Sequence, residues 1–300
     1  MTAQKAEAAQ ETWTIRRVLT WAVDDLKKRS FSSPRLDAEL LLCNVLGVDR
    51  IRLLIDAERP LEKTELVRYR ELYQRRRLGE PIAYLLGVRE FYGRPFRVDR
   101  RVLIPRPDTE TLVEVGLART SHLDLAARVL DLCTGSGCVA ISLARERPTT
   151  CVLGLDISAD AIVVARENLV RLGAMNCAFG VSDLFAALKG RGVVFDLITA
   201  NPPYIPDAEI PTLQVDIREF EPNVALSGGE DGLFLVRRIV DEAPTYLANN
   251  GVLAMELMSG QAAEVSAMLS RRGFVDVSVK KDLGGHERVV SGVWPGGSSS

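Results

Sequence analysis

From Val129 onward, short apolar segments alternate with amphipathic ones, and this alternation constrains the fold more than any other feature of the sequence. Each apolar segment has the length of a strand. The segments between them have apolar residues at helical spacing, as in residues 159–172. Continuous apolar strands joined by amphipathic helices are typical of a mostly parallel sheet covered on both faces. The sequence therefore predicts an α/β domain in this part of the chain.

Seven strands fit the pattern, and the last two lie close enough in sequence to pair antiparallel. The predicted strands are residues 129–132, 152–155, 177–181, 194–199, 252–257, 275–279 and 289–293. Ahead of them, residues up to about 80 show helical periodicity, which indicates a small helical bundle. Aromatic and β-branched residues among glycines then predict a β-hairpin. We expect four parts: a helical domain (1–80), for which the family resemblance described below implies substrate recognition, a hairpin linker (81–104), the α/β domain (105–295) and a disordered tail (296–300).

Composition narrows the classes of protein that the chain can belong to. Its 300 residues carry a net charge of −2, which argues against a broad phosphate-binding surface and direct binding of nucleic acid. Arg75 to Arg77 form either a local basic patch or the solvated end of a helix. Five cysteines without C-x-x-C spacing and two distant histidines predict reduced thiols and no metal site. We expect a cytoplasmic monomer without a secretory signal or a membrane span.

A glycine-rich turn follows the first predicted strand of the α/β domain, from Asp131 to Gly137. Ligands bind at the carboxyl ends of strands in open α/β sheets, and glycines let them approach the backbone. The turn is neither G-x-G-x-x-G nor a P-loop, so a pyrophosphate ligand is disfavoured. A tight strand-to-helix connection without a ligand would produce the same pattern.

Two further strand ends carry carboxylates. Asp156 ends the second strand and could accept hydrogen bonds from ribose hydroxyls, or it could cap the next helix in competition with Ser158. Asp183 follows the third strand and could accept from an adenine amine, with Leu184 covering the ring. Together with Asp131, these residues suit a nucleoside ligand without phosphates, and an acidic pocket would favour a cationic sulfonium.

The loop from Asn201 to Tyr204 (Asn-Pro-Pro-Tyr) directly follows the fourth strand. Such a sequence could be only a stiff turn. Next to the predicted nucleoside pocket, however, it suits a planar –NH2 group that is conjugated to a carbonyl or ring. The Asn201 oxygen and the Pro202 carbonyl would each accept one N–H, Pro203 would stiffen the loop, and Tyr204 would form an aromatic wall.

These segments resemble the release factor glutamine methyltransferases of the PrmC/HemK type over nearly the whole chain. The resemblance is carried by Glu80-Pro81-Ile82-Ala83-Tyr84, Val102-Leu103-Ile104-Pro105-Arg106-Pro107-Asp108-Thr109-Glu110, Thr134-Gly135-Ser136-Gly137, Asn201-Pro202-Pro203-Tyr204 and Gly228-Gly229-Glu230-Asp231-Gly232. It implies a seven-stranded Rossmann-like class I methyltransferase domain whose last strand is antiparallel. It also implies methyl transfer from S-adenosylmethionine, with S-adenosylhomocysteine as product, to the glutamine of the Gly-Gly-Gln motif in class-I peptide chain release factors.

The residues and the resemblance together give the candidate site. The catalytic candidates are Asn201, Pro202, Pro203 and Tyr204. The cofactor-binding candidates are Asp131, Cys133, Thr134, Gly135, Ser136, Gly137, Asp156, Ile157, Asp183, Leu184 and Asn201. Arg106 and Glu110 match the family's interdomain motif and are expected at the substrate or between domains.

Cys133, Met258 and His286 depart from the family pattern, and Cys133 stands where glycine is usual, beside the expected cofactor. Three alternative functions remain open from the residues. They are methylation of a ribosomal-protein glutamine, methylation of an exocyclic amine in DNA or RNA, and a non-enzymatic binding module that has lost its cofactor.

Overall fold

The computed structural model describes residues 12–123 and 127–296, which fall into two compact units that divide between Leu86 and Gly87. The expected N-terminal tail, and the C-terminal tail beyond Gly296, lie outside the described residues. Within the described residues, no helix is long and apolar enough to cross a membrane.

The first unit is a helical bundle, as the periodicity predicts, and its described residues form five helices. They are α1 (Ile15–Lys28), α2 (Pro34–Leu46), α3 (Arg50–Ile55), α4 (Lys63–Arg77) and α5 (Ile82–Leu86). Local signals define the ends of α1 and α2. The Thr14 hydroxyl accepts from the Arg17 backbone N–H, Pro34 opens α2, and Gly47 ends it in the left-handed conformation (φ 66°). Leu26, Leu41, Leu42, Tyr69 and Tyr73 lie in the core of the bundle.

The arginines at the end of α4 are paired, so they do not form a free basic patch. Arg75 pairs with Glu80, Arg76 with Asp37, and Arg77 with Asp25. Arg76 is itself buried. The structure therefore favours the helix-end interpretation, with Arg75 exposed at the surface and all three arginines ion-paired.

The second unit begins with a hairpin, β1 (Val88–Phe91) and β2 (Arg94–Arg97), that is shorter than the predicted linker. Residues Ile82–Leu86, which the sequence assigned to that linker, form helix α5 instead. Ile82, Leu85 and Leu86 pack in the core of the helical bundle, which favours the helix over an extended strand.

A seven-stranded sheet forms the rest of this unit. In chain order its elements are α6 (Glu110–Arg119), β3 (Arg128–Leu132), α7 (Cys138–Glu146), β4 (Cys151–Asp156), α8 (Ala159–Leu172), β5 (Cys177–Val181), β6 (Phe195–Ala200), α9 (Val215–Arg218), α10 (Phe234–Glu242), β7 (Leu247–Glu256), α11 (Ala262–Arg272), β8 (Val275–Lys281) and β9 (Glu287–Trp294). Helix α10 ends at Glu242, because Pro244 lies in a short 3₁₀ turn that leads into β7.

The strand order is β5-β4-β3-β6-β7-β9-β8, so the expected fold is confirmed. Strands β3 to β7 are parallel, and β9 lies between β7 and β8, antiparallel to both. One hydrophobic cluster contains residues of α6, α7 and α8, and the other contains residues of α10 and α11. The two layers of helices cover the sheet, and the strand order reverses between β3 and β6, which is where open α/β sheets bind ligands.

Candidate active site

A cavity of about 480 Å³ opens at the carboxyl ends of β3, β4, β5 and β6. After β3 the chain adds β4 and β5 on one side of this strand, and it later adds β6 and β7 on the other side. The loops that follow β3 and β6 therefore lead in opposite directions and leave a crevice between them. Its volume lies in the range of small-molecule sites. The structure therefore brings the glycine-rich turn and the Asn-Pro-Pro-Tyr loop to one pocket.

The glycine-rich turn after β3 exposes its backbone to this cavity. Cys133 (φ 55°), Gly135 (φ 53°) and Gly137 (φ 79°) all have left-handed backbones. A Cβ on Gly135 would meet nothing within 4 Å, so this part of the backbone is open to a ligand. Gly137 has a different role, because a Cβ there would come within 2.8 Å of the Phe179 ring. It packs α7 against the sheet and does not line the cavity.

Asp131 stabilises the glycine-rich turn through hydrogen bonds. Its two carboxylate oxygens accept from the hydroxyls of Thr134 and Thr199, at 2.6 and 2.7 Å. The side chain is buried, and burial raises the pKa of Asp131 to about 6 despite these hydrogen bonds. Because the side chain is only 2% exposed, Asp131 is suited to shape the turn more than to contact a ligand.

Asp156 lines the cavity at the end of β4 and is not the cap of α8. Its oxygens accept from the backbone N–H groups of Gly135 (2.8 Å) and Ser158 (2.9 Å), and the Ser158 hydroxyl caps the helix. Burial raises the pKa of Asp156. Each carboxylate oxygen has a second lone pair, so the group keeps acceptor capacity for hydroxyls of a ligand.

Beyond β5, Asp183 lines the cavity but is paired with a cation. Arg238 of α10 approaches its carboxylate to 3.0 Å. Leu184, the next residue, is buried and has a left-handed backbone (φ 45°), and the exposed Ile157 also lines the cavity. The expected acceptor at Asp183 is therefore shared with Arg238.

The Asn-Pro-Pro-Tyr loop presents Asn201 and Pro203 to the cavity. The Asn201 Nδ2 donates to the Thr109 hydroxyl oxygen at 3.3 Å. Among the described residues, no donor reaches the Asn201 Oδ1. Tyr204 turns away from the cavity, and its hydroxyl donates to Glu256 at 3.3 Å. The amide oxygen of Asn201 is thus left as an acceptor at the cavity wall.

Residues 226–232 form a second segment, which is hydrogen-bonded to the chain next to the Asn-Pro-Pro-Tyr loop. The Ile205 N–H donates to the Leu226 carbonyl, and the Gly228 N–H donates to the Ile205 carbonyl. A Cβ on Gly232 would lie 2.3 Å from the Tyr204 carbonyl oxygen, so only glycine fits there. Gln261 donates to that same carbonyl at 3.3 Å. Residues 226–232 and Gln261 therefore fix the backbone of the loop.

Glu256 is a site residue that the sequence interpretation missed. It ends β7, is almost fully buried, and accepts from Tyr204. Burial raises its pKa to about 7, while the charge of Arg288 and the hydrogen bond from Tyr204 oppose this rise. A glutamate within the apolar strand 252–257 was a signal that could have singled it out.

Arg106 and Glu110 occupy different places. Arg106 lines the cavity and pairs with the buried Glu221 at 2.7 Å, which anchors the end of the loop that follows Tyr204. Glu110 does not line the cavity. Its carboxylate accepts from the Tyr92 N–H at 2.8 Å and so fixes the turn of the β1–β2 hairpin.

Comparison with known proteins gives the family. Residues 17–87 match the model of the PrmC N-terminal domain, and residues 123–283 match a methyltransferase domain. A Geobacter sulfurreducens protein named release factor glutamine methyltransferase is 46% identical over 282 residues, which cover 94% of this chain and 97% of that protein. A Rhodopirellula baltica protein of the same name is 40% identical over 294 residues, covering 95% and 98%.

The chain belongs to the release factor glutamine methyltransferase family. A solved methyltransferase from Pyrococcus furiosus, 19% identical, has a TM-score of 0.50 over 77% of this chain and 98% of that chain, and it shares the fold. This member of the family is an S-adenosylmethionine-dependent methyltransferase with a class I fold.

The cavity fits that cofactor. S-adenosylmethionine carries ribose hydroxyls, an adenine amine and a sulfonium cation, which all seek acceptors or negative charge. The cavity offers Asp156 and Asp183 as acceptors, and the open backbone at Gly135 allows close approach. When bound there, the cofactor supplies an electrophilic methyl group.

Most of the predicted site residues line the cavity, and a few lie behind it. Those that line it are Arg106, Asp131, Cys133, Thr134, Gly135, Ser136, Asp156, Ile157, Asp183, Leu184, Asn201 and Pro203. Gly137, Tyr204 and Glu110 support the site through packing or hydrogen bonds, and the side chain of Pro202 is buried between Asn201 and Pro203 in the loop. The individual roles of all these residues stay predictions.

Proposed function

We propose that this chain transfers a methyl group from S-adenosylmethionine to the side-chain amide nitrogen of the glutamine in the Gly-Gly-Gln motif of class-I peptide chain release factors. Its relatives are named release factor glutamine methyltransferases. The observation that carries the proposal is the orientation of Asn201, whose Nδ2 is bound to Thr109 while its Oδ1 stays available at the cavity wall.

An amide –NH2 group has two donors and needs two acceptors to be held rigidly. In our proposal, the Asn201 Oδ1 accepts one N–H and the Pro202 carbonyl accepts the other. Proline removes a backbone donor at two successive positions, so this stretch offers carbonyl oxygens without competing N–H groups. The nitrogen lone pair is then held toward the methyl group.

Positioning is the main contribution that these residues make to the rate. An amide nitrogen is a poor nucleophile, and holding the reacting atoms in line contributes about 7–11 kcal/mol. The fixed acceptors also stabilise the positive charge that grows on the nitrogen. No general base is required in this scheme, since the surplus proton leaves to water once the nitrogen has become cationic.

Mass spectrometry of a class-I release factor treated with the protein and S-adenosylmethionine tests the proposal. The release factor comes from cells that lack the corresponding methylation. We expect one added methyl group on the glutamine of Gly-Gly-Gln, and none when that glutamine is replaced by alanine. Label that appears instead on a ribosomal-protein glutamine, or on DNA or RNA, would overturn the proposed substrate.

The proposed partner sets the remaining expectations. We propose that the protein acts in the cytoplasm as a monomer that binds the release factor without direct contact to nucleic acid. Light scattering of the protein alone and with the release factor measures both stoichiometries. A dimer of the protein alone would contradict this part of the proposal.

A further inference from the structure

One buried side-chain amide joins the glycine-rich turn to the β1–β2 hairpin. Asn168 lies in α8 and is fully buried (0% exposed). Its Oδ1 accepts from the Arg97 backbone N–H at 2.7 Å. Its Nδ2 donates to the Arg97 carbonyl at 3.0 Å and to the Ser136 carbonyl at 2.9 Å. A single amide therefore binds the last residue of β2 and a residue of the turn at the same time.

The amide can bind these groups in only one orientation. An asparagine side chain has two hydrogens on its nitrogen and an oxygen that accepts. The two carbonyls use both hydrogens, and the Arg97 N–H needs the oxygen. If the amide were reversed, its oxygen would face two carbonyl oxygens. Water cannot replace the lost partners of a fully buried group, so the arrangement is strongly favoured.

Both segments that Asn168 binds lead to the cavity wall. Ser136 lines the cavity within the turn that is predicted to bind the cofactor. On the other side, the chain continues from Arg97 into residues 101–106, all of which line the cavity except Ile104. Glu167, the neighbour of Asn168, adds a second link to this part of the chain. Its carboxylate lies 3.1 Å from Arg97 and 3.7 Å from Arg101.

We propose that Asn168 is a positioning residue that couples cofactor binding at the glycine-rich turn to the end of β2 and the cavity-lining residues that follow it. A cofactor bound to the turn favours the conformation in which the Ser136 carbonyl faces Asn168. The same amide holds Arg97, so the cofactor also stabilises the end of β2, and this coupling is reciprocal. The inference concerns cofactor binding and holds whichever substrate is methylated.

A pair of matched variants tests the role of the amide. Asn168→Asp keeps the shape and the oxygen that binds the Arg97 N–H, but it replaces the donor with a second oxygen that faces two carbonyls. Asn176→Asp is the control, because the Asn176 Nδ2 also donates to backbone carbonyls, those of Ala144 and Thr150, at 3.0 and 2.8 Å. Asn176 does not line the cavity. Both variants should lower the free energy of unfolding, measured with urea.

Calorimetry with S-adenosylhomocysteine separates a positioning role from a structural one, at a temperature where circular dichroism shows each protein to be folded. We expect the dissociation constant to rise by about 10-fold in Asn168→Asp, as for the loss of one buried hydrogen bond. In Asn176→Asp it should change by less than about 2-fold. An unchanged dissociation constant in Asn168→Asp, or an equal rise in both variants, would overturn the proposal.

Hydrogen exchange of the Arg97 backbone N–H measures the coupling directly. Residues 94–97 do not line the cavity, so a ligand in the cavity cannot protect them by contact. In the wild type, S-adenosylhomocysteine at 100 times its dissociation constant should slow this exchange by up to about 100-fold. In Asn168→Asp, the ligand should protect residues 131–137 but no longer Arg97, whereas Asn176→Asp should behave as the wild type does.

A wild-type protein in which the ligand protects the turn but not Arg97 would overturn the proposal, and this result decides the case even if Asn168→Asp does not fold. These measurements use no release factor. If no release factor is methylated but Arg97 is protected through Asn168, the proposed function fails and the coupling stands.

Discussion

In the proposed reaction, Asn201 acts through one atom, the amide oxygen that is left free when its Nδ2 donates to Thr109. Asn201→Ala removes this acceptor without introducing bulk. We expect methyl transfer in a single turnover to slow by about 100-fold to 1,000-fold, which is the usual effect of losing one fixed group that stabilises developing charge. Affinity for S-adenosylhomocysteine should stay close to that of the wild type.

Asn249→Ala is a suitable control for this change, because Asn249 is exposed in the bend of β7, away from the carboxyl ends of the strands. It should leave both quantities unchanged. Equal losses of methyl transfer and of cofactor affinity in Asn201→Ala would show that Asn201 maintains the cavity and does not bind the substrate.

Cys133 has a left-handed backbone (φ 55°), where most side chains are strained. Cys133→Gly relieves this strain but increases the entropy of the unfolded chain. The two effects nearly cancel, so we expect the free energy of unfolding to change by less than about 1 kcal/mol. Cys133→Val puts a β-branched side chain at the same φ and should destabilise by about 2 kcal/mol or more. Urea unfolding of both variants measures the difference, and equal stability of the two would contradict the argument from strain.

At the scale of elements, residues 226–232 and the Asn-Pro-Pro-Tyr loop depend on each other. Gly232 has φ 77°, and a Cβ there would lie 2.3 Å from the Tyr204 carbonyl oxygen. Gly285 has a similar φ of 83° but open space around it, so Gly285→Ala isolates the cost of the backbone conformation. We expect Gly232→Ala to abolish measurable methyl transfer and Gly285→Ala to retain it. Similar activity of the two variants would show that the close approach at Gly232 is unimportant.

The strands of the sheet are predictable because each one is a short apolar segment bounded by turns. Helix α3 is not predictable from the sequence, because Ile51, Leu54 and Ile55 are exposed and give the helix no apolar stripe toward a core. The position of β9 between β7 and β8 depends on tertiary packing, whereas residue spacing predicts only that the last two strands pair antiparallel.

The candidate site likewise has one part that the sequence predicts and one part that it does not. Its cavity wall is predictable because the loops after β3, β4, β5 and β6 necessarily meet at one edge of a parallel sheet. The supporting groups cannot be predicted in this way, because Asn201 meets Thr109, and Tyr204 meets Glu256, only after distant parts of the chain have packed together. Their hydrogen bonds span the chain, and no local pattern encodes them.

At the scale of the whole molecule, the carboxyl groups whose pKa values are raised lie around the cavity. Burial raises the pKa values of Asp131, Asp156, Glu221 and Glu256 there. In the helical bundle, a hydrogen bond from Tyr73 and neighbouring arginines lower the pKa of Asp25, and arginine partners lower that of Glu39, despite some burial. The carboxyl groups that bind protons more tightly in the folded state are thus those at the functional edge of the sheet.

Because of these raised pKa values, the free energy of unfolding should fall as the pH rises. Folded Asp131 and Glu256 release their protons near pH 6 and 7, compared with 3.8 and 4.5 for the free groups. Between these values the folded state binds more protons than the unfolded state, so raising the pH from 5 to 8 should lower the free energy of unfolding of the larger unit. The carboxyls with lowered pKa values are ionised in both states over this range and contribute no slope. Each pH unit crossed contributes at most about 1.4 kcal/mol for each group.

Urea unfolding at pH 5, 6, 7 and 8, followed by hydrogen exchange in peptides from β3 and β7, measures this slope within the larger unit. The double variant Asp131→Asn with Glu256→Gln cannot release these protons, so its stability should vary less with pH than that of the wild type. Substitution at Asp25, whose pKa is lowered, provides the contrasting control, because it should leave the slope between pH 5 and 8 unchanged. A wild-type protein that becomes more stable from pH 5 to 8 would show that the buried carboxyls at the cavity do not keep their protons as the structure requires.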